Sequence, residues 1–165
     1  MTPDCREPLE GGGSRFGTLV AYVRNMVKNV ILIVDNDDDV QEVMADALSH
    51  VGFYPLSARS GRQALSFLED IVPSVVILDF LLADMDGVEL ARAIRARPFG
   101  MLIPMLIVTG AEDAARKRLL RENLNIQVLV KPVSVALFTS TIENLSAGGV
   151  PSGRKMPVWY SSPGA

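Results

Sequence analysis

The chain has one cysteine and one histidine among its 165 residues. A single cysteine, Cys5, cannot form an intrachain disulfide, so the sequence favours a reducing compartment and we expect a cytoplasmic protein. One cysteine and one histidine, His50, are also too few for a zinc site built from Cys and His ligands. These absences argue against disulfide-stapled scaffolds and against zinc-binding modules.

The sequence also lacks surplus positive charge and long apolar runs. Its formal net charge is −3 and its pI is near 5.2, so we expect no attraction to nucleic acid or to anionic membranes. The most hydrophobic stretch, FGTLVAYVRNMVKNVILIV, is interrupted by Arg24 and Lys28 and offers no run of about 18 apolar residues. No transmembrane segment and no signal peptide is predicted.

Hydrophobic residues make up 48% of the chain and charged residues 21%, which is typical of a globular protein with a real core. The length fits one domain with some chain left over. Residues 1–27 contain the Gly-rich stretch EGGGSRFG and are predicted to be a flexible N-terminal extension. Residues 147–165 are rich in Gly, Pro and Ser and are predicted to be a C-terminal tail, in which Trp159 folds back or docks on a partner. The folded domain is therefore expected at 28–146.

Within that domain, apolar β-branched runs alternate with helical patterns. Four runs are continuously apolar, as strands buried on both faces of a parallel sheet are: Val30–Val34, Val75–Leu78, Met105–Val108 and Val128–Val130. A weaker run at 53–58 contains Pro55, which has no N–H to donate to a neighbouring strand, and is predicted to lie at an edge. Helical spacing follows each run. The first helix is expected to end at Gly52 and to bury one stripe of residues: Val40, Val43, Met44, Ala47, Leu48 and Val51.

Strand and helix alternate five times, which predicts an α/β fold with a doubly wound parallel sheet and helices on both faces. In such sheets, ligands bind beyond the carboxyl ends of the strands. Polar residues stand where the strongest strands end: Asp35 and Asn36, Asp79, Thr109, and Lys131.

These residue types suggest a specific chemistry. Clustered carboxylates repel one another unless a cation neutralises them, and hard oxygen ligands favour Mg²⁺. Lys131 adds a positive charge and Thr109 a hydroxyl donor. A metal, a lysine and a hydroxyl around one carboxylate form a receptor for a phosphoryl group, and Asp79 would be the nucleophile.

The motifs resemble the receiver domain of bacterial two-component response regulators. The matching stretches cover about Val30 to Leu145 in the order ILIVDNDDDV, ARSGRQAL, VVILDFLLADMDGVEL, PMLIVTG and VLVKP. The resemblance implies a five-stranded, flavodoxin-like sheet with strand order 2-1-3-4-5. It also implies a cis peptide bond before Pro132.

The resemblance implies a role for each site residue. Asp79 matches the phosphoacceptor, which a histidine kinase or a phosphotransfer protein phosphorylates. Asp35 matches the first acidic residue of the Mg²⁺ site, and Leu81 matches the position whose backbone carbonyl binds the metal. Thr109 matches the switch hydroxyl, and Lys131 matches the lysine that pairs with the phosphoryl group.

Three positions depart from the family pattern. Asn36 stands where the family usually has a second Asp that binds the metal directly; an amide oxygen can coordinate, but with one negative charge fewer Mg²⁺ is expected to bind more weakly. Val128 replaces an aromatic switch residue common in the family, so the coupling of phosphate to surface must be altered. Ala83 replaces a common Pro and is expected to matter least.

The acidic run also matches two other motifs in part. Asp35, Asp37 and Asp39 imitate the start of an EF-hand calcium loop, but Val40 stands where that loop needs Gly. Asp35 and Asp37 also imitate the DxD motif of haloacid-dehalogenase-type phosphatases, yet no paired-acid motif follows Lys131. The simpler reading is that Asp37 to Asp39 form a solvated helix start.

The sequence therefore predicts a stand-alone response regulator that is not an enzyme in its own right. We expect no output domain after Leu145, so output would be binding to a downstream protein, with a homodimer possible; a phosphate shuttle in a relay would use the same site. Asn36 and Val128 keep open an alternative, a pseudo-receiver that binds partners without phosphorylation.

Overall fold

The computed structural model describes residues 29–124 and 126–148, and these form one five-stranded sheet. The strands are β1 Val30–Val34, β2 Tyr54–Ala58, β3 Val75–Leu78, β4 Met105–Thr109 and β5 Gln127–Val130. Every neighbouring pair is parallel and the order is β2-β1-β3-β4-β5. The predicted fold class and strand order are confirmed. The extension at 1–27 and, apart from residues 147 and 148, the predicted tail with Trp159 lie outside the described residues.

Five α-helices connect or follow the strands. They are α1 Asp38–His50, α2 Gly61–Asp70, α3 Gly87–Arg95, α4 Glu112–Arg121 and α5 Val135–Ser146, with a short 3₁₀ turn at Gly100–Leu102. No helix in the described ranges is long and apolar enough to cross a membrane.

Short polar side chains start four of these helices. Asp37 accepts hydrogen bonds from the N–H groups of Asp39 and Val40 and so caps α1, as the acidic run predicts. Ser60 caps α2, Asp86 caps α3 and Ser134 caps α5 in the same way. A strand and not a helix precedes the acidic run, which excludes the EF-hand reading.

The helices cover both faces of the sheet. On one face, the core joins apolar side chains of the strands to α2, α3 and α4; on the other face, it joins them to α1 and α5. Ile31 and Ile33 point to the second face, whereas Leu32 and Val34 point to the first. Alternation along a strand that is buried throughout explains why the strand runs are continuously apolar.

The predicted buried stripe of α1 was partly wrong. Val43 is 63% exposed and Val51 is 41% exposed, so neither belongs to the core. Met44 and Leu48 are buried as expected, and the third fully inward position is taken by a polar residue, Gln41. A stripe assigned only from apolar residues therefore placed the inward face of α1 slightly off its true direction.

The edge prediction for the second strand is confirmed. Pro55 pairs with Ile31 in register, and β2 has a strand neighbour on one side only. The missing N–H of Pro55 is tolerated because an edge strand uses only half of its backbone groups in the sheet.

Gly87 allows the start of α3 to pack closely against the backbone at Asp79 and Phe80. A Cβ added at Gly87 would lie 2.4 Å from the Asp79 carbonyl oxygen and 3.0 Å from Phe80 Cα, both backbone atoms. The Gly87 N–H donates to the Phe80 carbonyl at 2.8 Å. The absence of a side chain at Gly87 thus lets the first turn of α3 rest directly on the chain that follows β3.

We predict that Gly87→Ala lowers the free energy of unfolding by about 1–3 kcal/mol, because backbone must move to admit the methyl group. Urea unfolding followed by circular dichroism measures the change. Gly110→Ala is the control, since an added Cβ there meets nothing within 4 Å, and it should change stability by less than about 0.5 kcal/mol. Equal effects of the two substitutions would contradict the close-packing argument.

Candidate functional site

Four of the predicted site residues lie at the carboxyl edge of the sheet. Asp35 directly follows β1, Asp79 follows β3, Thr109 ends β4 and Lys131 follows β5. Because parallel strands all end at the same edge, residues far apart in sequence come together there. The site is therefore formed by residues at, or directly after, the carboxyl ends of four different strands.

Lys131 and Asp35 form an ion pair in the site. Lys131 Nζ lies 2.8 Å from Asp35 Oδ2, and the Asp35 side chain is only 3% exposed. The other carboxylate oxygen, Oδ1, accepts a hydrogen bond from the Asp37 N–H at 2.9 Å. A carboxylate removed from water needs such partners, and here both of its oxygens have one.

The same ammonium group also faces Asp79. Lys131 Nζ lies 3.6 Å from Asp79 Oδ2, and the Asp79 side chain is 14% exposed. Asp79 Oδ1 accepts the Phe80 N–H at 2.7 Å. One oxygen of Asp79 is therefore held by the backbone, while the other faces the lysine at a longer distance and is more accessible than the Asp35 carboxylate.

Thr109 is 1% exposed and sits at the end of the interior strand β4. Its hydroxyl oxygen accepts the Ala111 N–H at 3.1 Å, which leaves the hydroxyl proton available to donate. The Thr109 carbonyl accepts the Lys131 N–H at 3.0 Å, so the backbone joins the two residues. The Lys131–Pro132 peptide bond is cis, as the resemblance implied.

The three positions that carry the departures lie in different surroundings. Asn36 and Ala83 are exposed, whereas Val128 is 8% exposed and packs in the core on the face covered by α2, α3 and α4. Leu81 has a 61% exposed side chain and forms an isolated antiparallel bridge with Asp86. The exposure of Leu81 is compatible with a role that uses only its backbone carbonyl.

The donor atoms at this edge suit a hard divalent cation. Within residues 29–124 and 126–148, no group of three or more His, Cys, Asp or Glu side chains is arranged to hold a metal ion. The candidate set instead has two carboxylates, Asp35 and Asp79, with the Asn36 amide and the Leu81 carbonyl as neutral oxygens. Oxygen ligands with few protein charges are what Mg²⁺ uses when it keeps several waters. The residues present therefore fit Mg²⁺, with one charge fewer than a three-acid set.

Asp84, in the loop after Asp79, forms hydrogen bonds with the start of α2. Asp84 accepts hydrogen bonds from the Gly61 N–H at 2.9 Å and from the Arg62 N–H at 3.0 Å. Burial alone would raise the pKa of Asp84, but the backbone hydrogen bonds from Arg62, Gly61 and Asp84 itself, together with the charge of Arg62, hold the pKa below its ordinary value. The loop that carries Asp79 and Leu81 is thereby tied to the neighbouring helix.

Sequence reasoning missed three residues that shape the site: Gln41, Asp84 and Gly87. Gln41 stood at an inward position of α1, three residues before Met44 and seven before Leu48, and that spacing could have marked it as buried. For Asp84 and Gly87 no periodic signal exists, because their partners are backbone groups of other segments.

Comparison with known proteins identifies a family. The model of the response regulator receiver domain matches residues 31–143, about two thirds of the chain. The matched residues run from β1 into α5 and so include the alternating strands and helices. This match argues against a haloacid-dehalogenase-type phosphatase.

Individual relatives agree. The chain is 36% identical over 90 residues to the phosphate regulon transcriptional regulatory protein PhoB of Pseudomonas aeruginosa, covering 53% of this chain and 39% of PhoB. It is 34% identical over 104 residues to an uncharacterized 14.6 kDa protein of Leptolyngbya boryana, covering 62% of this chain and 79% of that protein. The chain thus spans well under half of PhoB.

A solved structure shows the same fold at similar size. The signal receiver domain of a signal transduction histidine kinase from Syntrophus aciditrophicus superposes with a TM-score of 0.65 at 26% identity, and the match covers 79% of this chain and 98% of that domain. The similarity therefore covers nearly all of that domain.

The lowered pKa of Asp84 predicts a pH dependence of stability. A carboxyl group whose folded-state pKa is depressed stabilises the fold above its unfolded pKa of about 3.9, and this contribution is lost as the pH falls through the folded-state value. Asp84→Asn should therefore lose stability at pH 7 and show a smaller further loss between pH 7 and acid than wild type. Urea unfolding at a series of pH values measures both quantities.

Asp70→Asn, at the other end of α2, is the matched control and should keep the wild-type acid dependence. An Asp84→Asn profile parallel to that of wild type would show that the two backbone hydrogen bonds do not depend on the charge of Asp84.

Proposed function

This chain belongs to the response regulator receiver domain family, and we propose that it accepts a phosphoryl group on Asp79. The donor is the phosphohistidine of a histidine kinase or of a histidine phosphotransfer protein. The observation that carries the proposal is the position of Lys131 Nζ, 2.8 Å from Asp35 and 3.6 Å from Asp79 at the carboxyl edge of the sheet. A fixed cation beside an accessible carboxylate suits a group that gains negative charge on modification.

The transfer is a substitution at phosphorus. An oxygen of the Asp79 carboxylate forms the new P–O bond while the P–N bond to the donor imidazole breaks, and the imidazole leaves with the bonding electron pair and takes up a proton. Lys131 then balances charge on the phosphoryl oxygens, and the Thr109 hydroxyl can donate to one of them. Such transfers depend mainly on positioning and charge neutralisation.

The charges of the site leave a role for Mg²⁺, which would complete the charge balance when bound. Asp35, Asp79 and Lys131 together carry one net negative charge, which repels an incoming phosphoryl donor. Asp35, Asn36, Asp79 and the Leu81 carbonyl would hold the ion, and the ion would offset that repulsion and neutralise the transferred group. Because Asn36 contributes no charge, we propose that binding is weaker than at a site with three carboxylates.

We propose that the domain signals by binding a downstream protein through the surface formed by α4, β5 and α5. A second copy of this chain is one such partner, and nucleic acid is not proposed as a partner. Arg118 Nε in α4 lies 3.4 Å from Oδ2 of Asp86, the residue that caps α3 next to the Asp79 loop. This ion pair supports a link between the site and α4. Val128 is buried and has no ring to move, so an aromatic switch at that position plays no part.

A pseudo-receiver that binds partners without phosphorylation is the second candidate. Two observations favour it: the neutral Asn36 in the metal position, and the buried aliphatic Val128 in the switch position. In that case Lys131 and Asp35 would act as a structural ion pair. Phosphorylation is preferred because a purely structural pair does not require a second, more exposed carboxylate at Asp79.

We predict that wild type incubated with Mg²⁺ and acetyl phosphate gains one phosphoryl group, which is labile in base and is detected by intact mass. Asp79→Asn should remove the adduct, because an amide oxygen is a poor nucleophile. Asp39→Asn, in the exposed first turn of α1, is the control and should be labelled like wild type. An adduct that persists in Asp79→Asn would remove Asp79 as acceptor, and no adduct on wild type would favour the pseudo-receiver.

Restoring the missing charge should strengthen metal binding. Asn36→Asp adds a carboxylate beside Asp35 and Asp79, so we predict a fall of roughly tenfold in the Mg²⁺ concentration needed for half-maximal labelling. The labelling rate at saturating Mg²⁺ should change less. A variant with unchanged Mg²⁺ dependence would show that the side chain at position 36 does not contact the ion.

A further inference from the structure

Gln41 is a polar side chain inside the core-facing side of α1. It is 7% exposed and lies among apolar positions of the helix that contact the sheet. Burying a primary amide is unfavourable unless its hydrogen-bonding groups are satisfied. A buried glutamine in such a position therefore indicates a specific hydrogen-bonding role.

Both side-chain hydrogen bonds of Gln41 go to backbone carbonyl groups. Its Nε2 donates to the Asp35 carbonyl and to the Ala58 carbonyl, each at 2.7 Å. Carbonyl oxygens only accept hydrogen bonds, so the NH₂ group of the amide must face them, and it has two protons to give. Gln41 uses each proton on a different strand end.

The two carbonyls belong to the point where β1 and β2 separate. The Asp35 N–H donates to the Ala58 carbonyl at 3.2 Å. Among the described residues, this is the last backbone hydrogen bond between these two strands. Beyond it, the chain after β2 turns into α2, whose cap is Ser60. Gln41 continues the bonding by one step, because it joins the Asp35 and Ala58 carbonyls through a single side chain.

The Asp35 carbonyl is part of the planar peptide group between Asp35 and Asn36. Holding that carbonyl fixes the plane of the peptide, and with it the directions in which the two side chains leave the backbone. With the Asp35 N–H bound to Ala58 and its carboxylate bound to Asp37 and Lys131, Gln41 supplies the remaining restraint on Asp35.

We propose that Gln41 is a positioning residue for the metal site, which orients Asp35 and Asn36 by binding the carbonyl between them. The inference rests on the proposed function, because it assigns Mg²⁺ to these two side chains. Orientation matters more here than at a site with three carboxylates, since a neutral ligand attracts the ion weakly and depends on being held in place.

The test compares Gln41→Met with wild type. Methionine has similar length and helix propensity but no donor, so the helix is retained while the two carbonyl contacts are lost. Mg²⁺ is titrated into ¹⁵N-labelled protein, and the amide signals of Asp35, Asp37 and Phe80 report binding without any phosphoryl donor. We expect the Mg²⁺ dissociation constant to rise about tenfold, and the Asp37 amide to shift even without metal because its acceptor is Asp35.

Thr141→Val is the matched control. Thr141 is also 7% exposed and also donates from a buried side chain to a backbone carbonyl, but within α5. It should lose a comparable part of its stability and keep wild-type Mg²⁺ affinity. If Gln41→Met binds Mg²⁺ within about twofold of wild type, or if Thr141→Val loses as much affinity, the inference is overturned.

A second variant and a second measurement complete the test. Gln41→Leu also removes both donors and adds no charge near the site, so its affinity for Mg²⁺ should fall about as far, and it decides the matter if the Met variant does not fold. Labelling of wild type by acetyl phosphate is scored separately. Unlabelled wild type whose Mg²⁺ binding depends on Gln41 supports the positioning role and removes the proposed phosphoryl transfer. Labelled wild type with unaffected variants removes only the positioning role, and a wild type that binds no Mg²⁺ overturns it.

Discussion

The ammonium group of Lys131, shared between two carboxylates, is the contact on which the site depends. Lys131 follows the edge strand β5, whereas Asp35 and Asp79 follow β1 and β3 on the far side of β4. The lysine can reach both only if all these strands end at one level and its long stem passes over the end of β4. Parallel pairing supplies that level, and two helical layers keep the strands buried enough for the ion pair to matter.

Backbone contacts around this ion pair restrict the loops that carry it. Gln41 holds the Asp35 carbonyl, Asp84 ties the Asp79 loop to the start of α2, and Gly87 lets α3 rest on the Asp79 carbonyl. The first two contacts are hydrogen bonds to backbone groups at a strand end and at a helix start, and the third is close packing. These contacts restrict the loops that carry Asp35 and Asp79 and so help to keep the two carboxylates near one another.

Much of the fold could be predicted because its signals are local. Continuous apolar runs identified four strands, Pro55 identified the edge strand, and the acidic run from Asp37 identified the start of the first helix. The error at Val43 has a physical cause: the helical stripe was assigned from apolar residues, while the structure turns Gln41 inward. The buried amide of Gln41 is stable there because it donates hydrogen bonds to two carbonyl groups at the ends of β1 and β2. Those carbonyl groups belong to other segments, so the sequence of the helix does not reveal them.

By itself, the sequence determined the alternation of strand and helix, the parallel sheet and the set of polar residues at its carboxyl edge, because each follows from side-chain periodicity or from chain order. Only the tertiary structure decided the contacts of the site: that Lys131 lies closer to Asp35 than to Asp79, that Asp84 binds the Gly61 and Arg62 N–H groups at the start of α2, and that Gln41 binds the Asp35 carbonyl. Such contacts join segments up to 96 positions apart. No local pattern encodes them, because they arise when the sheet brings strand ends together.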